Sequence, residues 1–206
     1  MGVYNLERLT FLLVDDNRFV LKILQDVLKT LGAGQVITAE NGVEAIEFLS
    51  AHHGPYGCPV DMIISDLVMA PIDGHLLLKW VRQGKESPNR FMPFIMMSGA
   101  ADAENVEKAR DGGASEFLAK PFSAQTVCNR VLEVVDFPRQ FVATREYFGP
   151  DRHRKNDPKC PHDRRRINEK DATIVYSSDR VRRPRNDGDV FLFRLPNKLK
   201  EKVGGL

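Results

Sequence analysis

TFLLVDDNRFVLKILQDVLKTLG, residues 10–32, reads as a strand, a loop and a helix in immediate succession. Its first five residues are an apolar, β-rich run that stops at Asp15–Asp16. From Phe19 to Leu31 apolar residues then recur at spacings of three and four, until Gly32 ends the pattern. The same unit returns four times. QVITA (35–39) leads through Asn41–Gly42 to VEAIEFLSAHH, and MIIS (62–65) leads through Asp73–Gly74 to HLLLKWVRQ. FIMMS (94–98) precedes AENVEKARDGG, and EFLA (116–119) precedes SAQTVCNRVLEVV. Strands that are apolar without alternation are buried on both faces, and repeated strand–helix units are joined by crossovers that keep the strands parallel. The expected fold is therefore α/β, a doubly wound five-stranded parallel sheet with helices on both faces.

The 206 residues are 42% apolar and 28% charged, which excludes a collagen-like or wholly disordered chain. No stretch approaches the roughly 18 apolar residues of a spanning helix, and MGVYNLERLT lacks a basic segment followed by an apolar one. The expected setting is cytoplasmic, without a membrane partner. Cys58, Cys128 and Cys160, odd in number and scattered, make no disulfide framework.

The net charge of +2 conceals a division. Residues 1–137 carry 12 Lys and Arg against 18 Asp and Glu, net −6, whereas residues 138–206 carry 18 against 10, net +8. The basic part has too few large apolar residues to offset the entropy of ordering it. A folded domain over 8–137 and a basic, largely irregular arm over 138–206 are expected, with the boundary between Val135 and Tyr147. Within the arm, 172–178 (ATIVYSS) and 189–196 (DVFLFRLP) have strand character. The arm shows no pattern long enough for a helix-turn-helix, and its arginine clusters at Arg164–Arg166 and Arg180–Arg185 are interspersed with aspartates. A solvated arm is favoured over a nucleic-acid contact, and a DNA-binding regulator remains an alternative. Neither His52, His53 and Cys58 nor His153, Cys160 and His162 have the spacing of a metal site.

In open parallel α/β sheets the chemistry collects beyond the carboxyl ends of the strands. Asp15 and Asp16 follow the first strand and Asp66 the third, so adjacent first and third strands would bring three carboxylates into one crevice. Such charges repel, and a hard divalent cation with oxygen ligands, Mg²⁺ above all, is their natural counterpart. Ser98 ends the fourth strand and Lys120–Pro121 follows the fifth. A hydroxyl and an ammonium at the same rim suit a transferred phosphoryl group, whose charge lies on its peripheral oxygens. Asp66, standing alone, is the candidate nucleophile, and the Asp15–Asp16 pair the candidate metal holder. Each residue alone has an ordinary reading as a cap, turn or solvated charge. Four strand ends delivering the required groups at one rim carry the functional reading.

LLVDDN (12–17), ISDLVMAPIDG (64–74), MMSGA (96–100) and FLAKPF (117–122) together resemble the receiver domain of bacterial two-component response regulators. The resemblance implies strand order 2-1-3-4-5 and a phosphoacceptor at Asp66, fed by a phosphohistidine on a sensor histidine kinase or a histidine phosphotransfer protein. It implies Mg²⁺ held by Asp16 directly, by Asp15 mostly through water, by Asp66 and by the backbone carbonyl of Val68. Lys120 would pair with the phosphoryl oxygens, and the Lys120–Pro121 bond would be cis. Ser98 and Phe117 would act as the switch, reshaping a face built from helix four, strand five and helix five for a downstream protein or a second copy. Two departures stand out: the proline after Met69 is displaced to Pro71, and Val68 is apolar where a polar side chain is common. An aspartyl-phosphate phosphohydrolase would need an acid at Val68, so the expected role is a switch rather than an enzyme.

Overall fold

The computed structural model describes residues 6–52, 58–99, 103–144, 147–151 and 173–175. Five strands, β1 (Thr10–Val14), β2 (Gln35–Ala39), β3 (Met62–Asp66), β4 (Phe94–Ser98) and β5 (Glu116–Ala119), form one parallel sheet in the order β2-β1-β3-β4-β5. The helices α1 (Arg18–Thr30), α2 (Gly42–Ala51), α3 (Gly74–Gln83), α4 (Ala103–Asp111) and α5 (Ala124–Asp136) alternate with them. The expected doubly wound sheet and its order are what the chain adopts.

Helix starts are fixed by side chains that satisfy otherwise orphaned amides. Asn17 Oδ1 accepts from the amides of Phe19 and Val20, Asn41 Oδ1 from Val43 and Glu44, Asp73 Oδ1 from Leu76 and Ser123 Oγ from Thr126. β1, β3 and β4 are buried at every residue, and two apolar clusters cover the sheet, one on each face. Leu12, Ile63, Leu77 and Phe94 belong to one cluster, and Leu13, Leu24, Ile64 and Val131 to the other. Neighbouring residues thus serve opposite faces, as the strand period of two requires. Among the described residues no helix is long and apolar enough to cross a membrane.

A second, antiparallel sheet follows α5. Its strands β6 (Phe141–Ala143), β7 (Phe148–Pro150) and β8 (Thr173–Val175) lie in the order β7-β6-β8. β8 falls inside the run 172–178 read as strand-like, 189–196 lies outside the described residues, and the hairpin over 141–150 was not foreseen. The chain past residue 138 is thus ordered where it meets the main sheet, for a tertiary reason. Phe141 and Phe148 close with Phe91 into a cluster of three rings with centroids 5.1–5.6 Å apart, all three buried.

Beneath that cluster lies Arg82 of α3, fully buried. Its Nε donates to the carbonyl of Gly113 at 3.0 Å, and its Nη1 to those of Arg90 and Met92 at 2.9 and 2.7 Å. Burial pushes the guanidinium down to about 9, still charged at neutral pH, and the Phe141 ring lies 5.2 Å from its Cζ. Gly113 has φ +94°, and a Cβ there would stand 3.0 Å from the Phe148 carbonyl oxygen, so glycine is required at this junction.

Candidate functional site

Strand register delivers the site. Val14 lies opposite Ser65, Asp66 opposite Met97 and Ser98 opposite Ala119. The residues that end or follow β1, β3, β4 and β5 therefore reach one rim of the sheet at the same level. There the carboxylate oxygens of Asp15, Asp16 and Asp66 come within 4.8 Å of one another. Lys120 Nζ donates to Asp15 Oδ2 at 2.6 Å and to Asp66 Oδ1 at 2.9 Å. Asp15 is almost wholly buried, Asp66 is 8% exposed and Asp16 is open to solvent.

Local backbone contacts fix these side chains. The free oxygen of Asp15, Oδ1, accepts from the amide of Asn17 at 2.9 Å, and Asn17 in turn caps α1. Lys120 N donates to the Ser98 carbonyl at 2.8 Å, and the Lys120–Pro121 peptide is cis. Leu67 N donates to the Met97 carbonyl, and Gly74 N to the Leu67 carbonyl, folding the loop after β3 back on itself. A Cβ on Gly74 would run into the carbonyl oxygen of Asp66 and come within 2.7 Å of Met96 Sδ. In that loop the Ala70–Pro71 peptide is also cis.

The charges do not balance. Burial pushes the Asp66 carboxyl up, Lys120 opposes that shift and the Asp15 charge adds to it. Burial alone would lower Lys120, but its hydrogen bonds to Asp15 and Asp66 outweigh it, and the ammonium is held above its ordinary value. Both groups are biased toward protonation, Asp66 by burial beside the Asp15 charge and Lys120 by its two carboxylate partners. A second cation with oxygen preference meets this donor set well, and the exposure of Asp16 gives it a route in.

The remaining residues named from sequence fall around this pocket. Ser98 is buried at the end of β4, Phe117 is half-buried in β5 against the core cluster that contains Leu77 and Phe94, and Val68 is 70% exposed two residues beyond Asp66. Asn17 and Gly74 were missed. Asn17 could have been found from its place between an acidic pair and a helix, whereas the demand on Gly74 arises only when β3 and α3 meet. His52 stacks on Phe48 at 4.1 Å and its Nδ1 lies 2.8 Å from the Phe48 carbonyl, an ordinary helix-end contact. His53 lies outside the described residues.

Residues 11–132 match the family model described as the response regulator receiver domain. The chain is 31% identical over 124 residues to a chemotaxis protein CheY homolog of Campylobacter jejuni, covering 60% of this chain and 90% of that one. It is 33% identical over 124 residues to the probable transcriptional regulator ycf27 of Cyanidium caldarium, again 60% of this chain, and spans only 45% of that relative's length. Among solved structures, the CheX–CheY complex of Borrelia burgdorferi with BeF3 and Mg²⁺ aligns with TM-score 0.54 at 26% identity, covering 61% of this chain and 88% of that one. The family match ends nine residues before β6 begins. Motifs, sheet order and acidic rim thus have one common source, and the chain belongs to the response regulator receiver domain family of two-component systems.

Proposed function

We propose that Asp66 is the phosphoacceptor of a cytoplasmic signalling switch. Receiver domains are in general signalling modules, and this one takes its phosphoryl group from a phosphohistidine on a sensor histidine kinase or a histidine phosphotransfer protein. A carboxylate oxygen of Asp66 attacks phosphorus. The P–O bond forms as the P–N bond breaks, and the electron pair returns to the imidazole nitrogen. Mg²⁺, when bound, neutralises charge on the phosphoryl oxygens. Asp15, Asp16, Asp66 and the backbone carbonyl of Val68 would hold it.

Lys120 does two things in this scheme. Before transfer it neutralises part of the acidic pocket and orients Asp66, and after transfer its ammonium pairs with a phosphoryl oxygen. Ser98 donates its hydroxyl to another such oxygen, which draws the end of β4 inward, and Phe117 follows. The face of α4, β5 and α5 then presents a changed surface to a downstream protein or a second copy of the chain. The domain doing this work runs over 8–137, and residues 138–206 supply the basic extension.

The observation that carries the reading is Lys120 Nζ held between Asp15 and Asp66 inside a three-carboxylate cluster. Incubation with Mg²⁺ and acetyl phosphate is expected to add one phosphoryl group by intact mass. Asp66→Asn is expected to add none, and equal uptake by that variant would refute the assignment.

A further inference from the structure

The foot of the parallel sheet, at the opposite strand ends from Asp66, is closed by residues 138–144 and 147–151. Two contacts among the described residues anchor this segment. One is apolar: the Phe91, Phe141 and Phe148 rings over Arg82, with Arg90 Cζ stacked 3.5 Å from the Phe148 centroid. The other is ionic. Arg139 Nη2 lies 2.7 Å from Glu116 Oε1, and Arg130 of α5 lies 3.4 Å from Glu116 Oε2. The Glu116 side chain is 2% exposed and that of Arg139 19%, so this charge-assisted contact is shielded from solvent.

Glu116 is the first residue of β5 and the immediate neighbour of Phe117. Their side chains leave opposite faces of the strand: Phe117 packs against the cluster containing Leu77 and Phe94, while Glu116 meets Arg130 on the α5 side. β5 is the edge of its sheet, paired there with β4 alone, and only four residues long. Three residue rises, about 10 Å, separate Glu116 from Ala119 beside Lys120. A rise of about 1 Å in the Arg139–Glu116 distance ends the hydrogen bond.

We propose that residues 138–144 and 147–151 form a strap whose grip on the receiver foot is set by the phosphorylation state of Asp66, with Glu116 as the pin that transmits it. The proposal rests on the phosphoacceptor reading above. When Phe117 turns inward, the β5 backbone carries Glu116 away from Arg139, and the strap loosens at its ionic end while the aromatic end stays seated. The apolar anchor belongs to α3 and the entry to β4, so release is partial and reversible.

Amide hydrogen exchange of the full chain tests this, with and without acetyl phosphate and Mg²⁺, phosphoryl uptake being read by intact mass. Residues 139–151 are expected to exchange at least fivefold faster after uptake of one phosphoryl group, and Asp66→Asn to show no change. Glu116→Gln is expected to exchange fast in both states while still taking up phosphate, and Arg139→Gln breaks the same contact from the other side should the first variant fold poorly. Confirmed uptake with unchanged exchange in 139–151 overturns the strap and leaves the phosphoacceptor standing. Acceleration spread over the whole chain also overturns it. Absence of uptake overturns both, and the mass separates that outcome from the others.

Discussion

Adding Mg²⁺ should stabilise this protein, and three substitutions should change the effect in three different ways. A ligand bound only by the folded state at ten times its dissociation constant adds about 1.4 kcal/mol. For a domain of this size that raises the melting temperature by about 3–6 °C. Asp16 is exposed and is absent from the Lys120 contacts, so Asp16→Asn should leave the metal-free melting temperature within about 1 °C while abolishing most of the shift. Lys120→Met is the informative contrast. It removes the ammonium that sits 2.6 and 2.9 Å from two carboxylates, which costs about 1–3 kcal/mol once the lysine's 20% exposure is allowed for. The same change raises the negative charge facing a cation, so its Mg²⁺ shift should exceed that of the unmodified chain. Asp66→Asn should lose part of the shift. The assay is a thermal melt at matched ionic strength with NaCl replacing MgCl₂. A shift that is equal in all four proteins, or reproduced by NaCl, would mean that the acids act as a diffuse surface charge and not as a ligand set.

Three further outcomes follow from contacts elsewhere. A chain ending at residue 137 exposes Phe91 and loses Phe141, Tyr147 and Phe148, all buried, and should be at least about 3 kcal/mol less stable in urea than one ending at residue 151. Gly74→Ala drives a methyl group into the Asp66 carbonyl and Met96 Sδ. It should cost about 2 kcal/mol or more and slow phosphoryl uptake, both measured on the same preparation. Burial pushes the Cys58 thiol above its ordinary value of 9.0, so the folded state retains that proton more firmly than the unfolded chain. This contribution to stability is complete below pH 9 and is lost as pH rises through the folded-state value. Iodoacetamide at pH 8 should accordingly modify Cys58 several-fold more slowly in the folded protein than in urea.

The acidic rim was legible because it is written locally. Four of the five strands are mostly apolar runs that end at or just before a residue of the rim: Asp15–Asp16, Asp66, Ser98 and Lys120. Strand order is a different kind of fact. Periodicity gives five strand–helix units and leaves their arrangement open, and the order 2-1-3-4-5 came from motif resemblance. The geometry of the loop after β3 was beyond both, since the departure at Ala70–Pro71 signals a changed turn without specifying it.

The second sheet was hidden for reasons that can be named. Strands of three residues containing Gly149 and Pro150 carry no period, and the partner that orders them, Phe91, lies 50 residues earlier than Phe141. Arg82 conceals itself further. In HLLLKWVRQ it reads as one polar residue of an amphipathic helix, yet the carbonyls of Arg90, Met92 and Gly113 converge on it and make its burial tolerable. The charge division between residues 1–137 and 138–206 is compatible with a diffuse attraction between them, but the contact made at the boundary is mainly aromatic. The ion pair drawn across it, Arg139–Glu116, is buried and specific rather than diffuse. A diffuse attraction would hold the segment anywhere on an acidic surface. Three rings and one pin hold it at a single place, against the first residue of β5, where movement of that strand can be felt.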